Sequence, residues 1–165
     1  MPVLPFYQFE LKDKLNSKPQ CFDSFNFLFL LQGTGTIRCR NQLIHLKPHD
    51  FTFFNMYEIH QFLTFSPDAR VLSVLIHKSY IQSAVPELTD MTLNTHTVTP
   101  ESEPERYEFF CQEFGKFIYY HTVHSPGAQL HALSHLGNLL SYILNQLSTS
   151  SASALHGTQT RDDRL

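Results

Sequence analysis

Between Phe25 and His77 the sequence runs as six short, apolar-rich stretches, Phe25–Gln32, Thr36–Arg40, Gln42–Leu46, Phe51–Asn55, Ile59–Phe65 and Arg70–His77. They are separated by Gly33-Thr34-Gly35, Asn41, Lys47-Pro48-His49-Asp50 and Ser66-Pro67-Asp68, all residues that preset or tolerate turn dihedrals. Regular short strands at this spacing predict a β-sandwich or barrel. Phe25 to Leu31 is apolar at nearly every position rather than alternating, so both faces of that strand are expected to be covered. The segment Ser79–Leu88 reads as a short helix or an irregular turn, and Met91–Val98 as a last strand.

The period then changes. Thr99 is a candidate N-cap with Pro100 at the first helical position, and acidic residues crowd the positive end of the helix dipole. Tyr107, Phe110, Cys111, Phe114, Phe117 and Ile118 follow at helical spacing. Ser125-Pro126-Gly127 breaks the chain before a second helix. There Leu133, Leu136, Leu140, Ile143 and Leu147 are spaced as an a/d seam, while Leu130, Leu139 and Leu144 lie off it. Two apolar faces need two partners. Either both are buried inside one subunit, or the seam pairs with a second copy in a homodimer, which is the expectation adopted here. Beyond Leu147 the small polar residues "STSSASA" read as a linker. The expected organisation is a β domain with an N-terminal arm over residues 1–98, a two-helix dimerisation region over 99–148 and a flexible tail over 149–165.

A formal charge of −3 with scattered Lys and Arg gives no electrostatic surplus for a polyanion, so this chain by itself is not expected to bind DNA. Three cysteines, Cys21, Cys39 and Cys111, form no close pair in sequence and fit reduced thiols in a cytoplasmic protein. No apolar run is long enough to span a bilayer, so no membrane partner is expected.

In three places the sequence resembles the N-terminal ligand-binding and dimerisation domain of AraC-type bacterial transcription regulators. The first is "FLFLLQGTGTIRCRNQLIHLKPHDF", similar to that family's strand, Gly-x-Gly hairpin, strand and turn before an Asp. The second is "HDFTFFNMYEIHQF", in which Asp50, Asn55, Glu58, Ile59 and His60 match a Gly-Asp, apolar strand, Asn-Pro-x-Glu-Ile-His pattern. The third is the helix pair with its Leu-rich second member. His49 stands where the family has a turn glycine, and Met56 where it has proline. The resemblance implies a cupin-like jelly-roll β-barrel followed by an antiparallel two-helix hairpin. It further implies a homodimer that senses a small-molecule effector, and a DNA-binding domain that would follow the linker and lies outside this chain. The N-terminal stretch "MPVLPFYQF" would be either an arm over the pocket or an edge strand.

Metal-dependent cupins carry two His and a Glu in a first motif and one His in a second. Counting back from Gly33, those first-motif positions fall near Gln20, on Phe22 and on Asn26, which leaves only His60. No metal and no cofactor is therefore expected, and no catalytic residues are assigned; the alternative is a small metal-dependent cupin enzyme. If His60 faces inward, strand alternation places Phe62 and Thr64 with it, and Asn26 brings Leu28 and Leu30. With Gln32 and Arg38 near the hairpin, and Glu58 from the matched motif, the expected ligand-contacting set is Asn26, Leu28, Leu30, Gln32, Arg38, Glu58, His60 and Phe62. Apolar walls with sparse polar groups suit a small organic ligand. A barrel filled solid by side chains is the competing expectation.

Overall fold

The computed structural model describes residues 6–150. The chain divides into two units, Met1–Thr89 with His96–Glu103, and Asp90–Thr95 with Pro104–Leu165.

The first unit is a roll of two antiparallel sheets. One has the order β1 (Tyr7–Lys12), β7 (Arg70–His77), β2 (Ser24–Gln32), β5 (Phe51–Phe54) and β9 (Thr97–Val98); the other has β4 (Gln42–Leu46), β3 (Gly35–Cys39) and β6 (His60–Phe65). Leu28, Leu30, Phe54 and Val71 from the first sheet meet Ile37, Cys39, Leu46 and Phe62 from the second in one buried cluster, so the sheets face each other across a shared core. The opposite face of β2 is buried too, with the rings of Phe27 and Phe53 stacked at 6.4 Å and those of Phe27 and Phe51 at 5.6 Å. The lack of alternation in this strand thus has its physical reason. β7 leads into α1 (Lys78–Ala84), followed by a 3-10 turn over Pro86–Asp90.

Two turns explain local sequence choices. Gly33 sits at φ +83°, and a Cβ there would run into Ser66 Oγ and meet the Ala69 Cα at 2.7 Å, so the tight approach requires glycine. His49 keeps the left-handed conformation of the turn before Asp50 at φ +75°, a region where His is enriched among non-glycine residues. The Asp50 carboxylate fixes that turn by accepting the Lys47 N–H at 2.9 Å.

The second unit pairs α2 (Pro104–Thr122) with α3 (Ala128–Gln146). Between the helices, the Glu113 carboxylate contacts His135 Nδ1 at 2.6 Å and accepts from the Asn138 amide at 3.1 Å. The Tyr142 ring lies 5.0 Å from Phe109. β8 (Met91–Leu93) pairs with β10 (Ser148–Ser150) as a small ribbon closing the end of α3. Among the described residues no helix is long and apolar enough to cross a membrane.

Several expectations are corrected. Thr99 does cap, but only a single turn, accepting from the Ser102 N–H at 3.1 Å; the helix starts at Pro104. A helix begun at Pro100 would put Pro104 in its interior, against the carbonyl four residues back. Met91–Val98 is not one strand but β8 and β9, which belong to different sheets and different units. Ser148–Ser150, expected in the linker, form β10, while residues 151–165 lie outside the described residues. Of the N-terminal stretch, Tyr7 to Phe9 belong to edge strand β1, paired with β7; residues 1–5, where an arm would begin, lie outside the described residues. Finally, Leu133, Leu136, Leu140, Ile143 and Leu147 are each at most 8% exposed within the single chain. Pairing two copies through these residues would require uncovering them first.

Candidate functional site

The interior of the roll is largely apolar; Thr52 and Ser73 are buried opposite Leu28, and a denser group of polar side chains forms around His60. His60 opens β6, its ring stacked on Phe54 at 4.1 Å with the planes 2° apart. Its Nδ1 lies 3.1 Å from the Glu58 carbonyl oxygen, which can only accept, so Nδ1 carries the proton and Nε2 presents a lone pair. Burial holds the imidazole below its usual pKa and keeps it neutral, even though the Glu58 carbonyl and carboxylate favour the charged form. His60 is 2% exposed, and Nε2 has no hydrogen-bond partner. Across β2 and β5, Asn26 pairs with Phe54 and faces the same interior. It is 4% exposed, and its Oδ1 is likewise without a partner. Two buried hydrogen-bond acceptors thus lie on the residues next to Phe54, one stacked on its ring and one paired with it across β2 and β5. Each unsatisfied group costs about 1–3 kcal/mol.

A second polar group adjoins the first. Glu58 is buried beside His60, with Oε2 accepting from Arg40 at 2.8 Å and Oε1 held by His96 Nε2 at 2.7 Å. Burial pushes the Glu58 pKa up, but the His96 hydrogen bond and the charges of His96 and Arg40 outweigh it and hold the carboxyl below its ordinary range. The Cys39 Sγ lies 3.8 Å from the same His96 Nε2. Burial and the neighbouring Glu58 charge push this thiol up to about 11, against the pull of Arg40. At neutral pH Cys39 is therefore a thiol, and His96 Nε2 is already engaged by Glu58. The trio does not read as an activated nucleophile and base.

The ligand-contacting set expected from the sequence divides. Asn26, Leu28, Leu30, His60 and Phe62 face the interior, and Glu58 is buried beside it. Leu28, Leu30 and Phe62 belong to the packed core cluster rather than to the wall of an open chamber. Gln32 and Arg38 are corrected to the outside. A bulge at Leu31 shifts β2 by one residue, so Gln32 becomes exposed and donates to Asp68 at 3.5 Å. In β3 it is Ile37 and Cys39 that point inward, which turns Arg38 to solvent by alternation. Thr64 is turned out as well, because the register between β3 and β6 slips between Phe62 and Thr64.

Positions 20 and 22 lie against His60, and position 26 faces the same interior from β2. Gln20 forms a two-way backbone bridge with His60 at 2.8 and 3.0 Å, and the Phe22 ring lies 5.8 Å from the imidazole. Their side chains are amide, phenyl and amide, so the ligand set of a metal cupin is not assembled there. Sequence reasoning missed Cys39 and His96. His96 sits 57 residues from Cys39, and the pairing of β9 with β5, with the Phe53 N–H and the Thr52 hydroxyl donating to the His96 carbonyl, carries it to the core.

Among the described residues, surface grooves lie over the roll. One of about 240 Å³ is lined by Leu15, Phe62, Phe65 and Ala69 among others, and Phe62 forms its boundary with the interior, 5.9 Å from the His60 ring. Another, of about 370 Å³, lies along Thr34–Thr36, His45 and Phe65.

No protein-family model matches this sequence, and no curated protein does. Among solved structures the fold is similar to that of the AraC-like transcriptional activator CuxR, with a TM-score of 0.56 and 8% identity over 79% of this chain and 45% of that one. ToxT from Vibrio cholerae matches with a TM-score of 0.50 and 9% identity over 87% of this chain and 58% of that one. The roll with its appended helices is the fold of these regulators. This chain spans about half the length of each of them.

Proposed function

We propose that this chain is the effector-sensing part of an AraC-type transcription regulator, in which a small organic ligand in the roll governs a DNA-binding domain beyond the tail. The observation that carries this reading is the pair of buried, unpartnered acceptors, Asn26 Oδ1 and His60 Nε2, on the two residues that neighbour Phe54 by strand pairing and by ring stacking. Acceptors without donors call for a ligand with hydroxyl or amine hydrogens, such as a sugar or an amphipathic alcohol. Phe62 is the side chain to be displaced, since it separates the 240 Å³ groove from His60. Binding would shift the protein between two arrangements only in so far as the ligand favours one of them. Homodimerisation, if it runs through the helical unit, would use its exposed apolar residues, such as Tyr119 (60% exposed) and Leu130 (72%), in place of the covered seam.

A thermal-shift screen with sugars, sugar phosphates and amphipathic alcohols tests the reading, because a ligand that binds only the folded state raises its apparent stability. The expected outcome is a donor-bearing hit whose shift disappears in His60→Phe. A hit whose shift survives both His60→Phe and Asn26→Val would place binding elsewhere and reject the site. The alternative of a metal-dependent cupin enzyme draws no support from positions 20, 22 and 26.

A further inference from the structure

We propose that Cys39, Glu58 and His96 form a binding site for a borderline-soft divalent transition metal of the zinc type, separate from the residues that hold metal in cupin enzymes. The three side chains come from β3, from the turn before β6 and from the residue before β9, and all are buried. Each presents one ligand atom, Sγ, a carboxylate oxygen and Nε2, and the three atoms lie within 4.8 Å of one another. A thiol, an imidazole and a carboxylate are the donors that Zn2+ takes in proteins, and the sulfur and nitrogen exclude the hard, oxygen-preferring cations.

The distances nearly suffice. A tetrahedral zinc with ordinary bond lengths holds its sulfur and nitrogen about 3.6 Å apart and its nitrogen and oxygen about 3.3 Å apart. Here Sγ and Nε2 stand 3.8 Å apart and Nε2 and Oε1 2.7 Å apart. The His96–Glu58 pair has to open by about 0.6 Å, and Sγ and the Glu58 oxygen, which stand within 4.8 Å of each other, have to come to about 3.5 Å. Binding displaces the hydrogen between Nε2 and Oε1, which moves to Nδ1 or, where Nδ1 is already protonated, leaves to solvent, so that His96 binds as a neutral imidazole; the Cys39 proton also leaves to solvent. Arg40 stays on Oε2 and orients the carboxylate from outside, the role that partners of metal ligands commonly play. Three protein ligands leave the fourth position to a water.

Cobalt(II) tests the site, because thiolate ligation gives a charge-transfer band in the near ultraviolet that histidine or carboxylate binding does not. The protein should carry Cys21→Ser and Cys111→Ala, so that Cys39 is its only thiol, and its fold should be checked by circular dichroism. One equivalent of Co2+ added to the chelator-treated protein is expected to give the thiolate band together with visible bands of tetrahedral intensity, and one equivalent of Zn2+ should abolish both. Cys39→Ser should lose the near-ultraviolet band. His96→Gln keeps a donor for Glu58 and so guards against misfolding; it should weaken Co2+ binding at least tenfold. A folded protein without the thiolate band, or one whose Co2+ affinity is unchanged by His96→Gln, overturns the site. Neither result bears on the organic-ligand reading, whose screen needs no metal.

Discussion

Replacing Asn26 by valine should make the ligand-free protein more stable while removing its response to effector. Oδ1 is buried without a partner, and such a group costs about 1–3 kcal/mol in desolvation. Valine removes that cost, is close in size, and suits the central strand β2 through its branched Cβ. The gain should therefore be of the order of 1–3 kcal/mol, which for a chain of this length raises Tm by roughly 2–4 °C per kcal/mol. His60→Phe is expected to gain less. It preserves the stack on Phe54 and removes the orphaned Nε2, but it gives up the Nδ1–H bond to the Glu58 carbonyl, worth about 0.5–1.5 kcal/mol. The assay is urea unfolding of native and variant protein in metal-free buffer, followed by the thermal response to the best hit of the ligand screen. A loss of more than about 1 kcal/mol in Asn26→Val would refute the reasoning, because Oδ1 would then have to be making a bond in the native protein.

Leu140 is 1% exposed within the chain, so Leu140→Ala should cost about 2–5 kcal/mol at any protein concentration, and Leu140→Asp should unfold the helices rather than separate two intact copies. A Tm that rises with concentration in the native protein, together with folded monomers of Leu140→Asp in sedimentation, would restore the seam. Acid should weaken the helix pair through Glu113. Burial pushes its pKa up, but hydrogen bonds from His135 and Asn138 outweigh this and hold it below 4.5. Its contribution is thus fully present above pH 4.5 and lost as pH falls through the lower folded value, so the stability gap between native protein and Glu113→Gln should close over that range in chemical unfolding.

The strands of the roll were legible because turn chemistry and apolar content changed together along the chain, and Gln42–Leu46 and Arg70–His77 form with the bounds expected. What sequence could not show were the single-residue register shifts. The bulge at Leu31 leaves no local signature, yet it decides that Gln32 meets solvent instead of the interior. The helical seam was ambiguous for a different reason: spacing of three and four suits a helix packed inside its own chain as well as it suits a coiled coil, so Leu133 to Leu147 carried no information on which partner covers them. His60 and Asn26 were found through a resemblance that supplied their register. Cys39 and His96 had no such guide, since their meeting depends on the pairing of a two-residue strand with β5.

The lone pair of His60 Nε2 is the place where a ligand should land. Long-range proton–nitrogen NMR of the histidine rings, recorded during titration with a hit from the thermal screen, reads this directly. Nε2 of His60 should begin as an unprotonated, unbonded nitrogen and shift in step with saturation, while Nδ1, held by the Glu58 carbonyl, stays nearly constant. Saturable binding that leaves both nitrogens of His60 unmoved would contradict it.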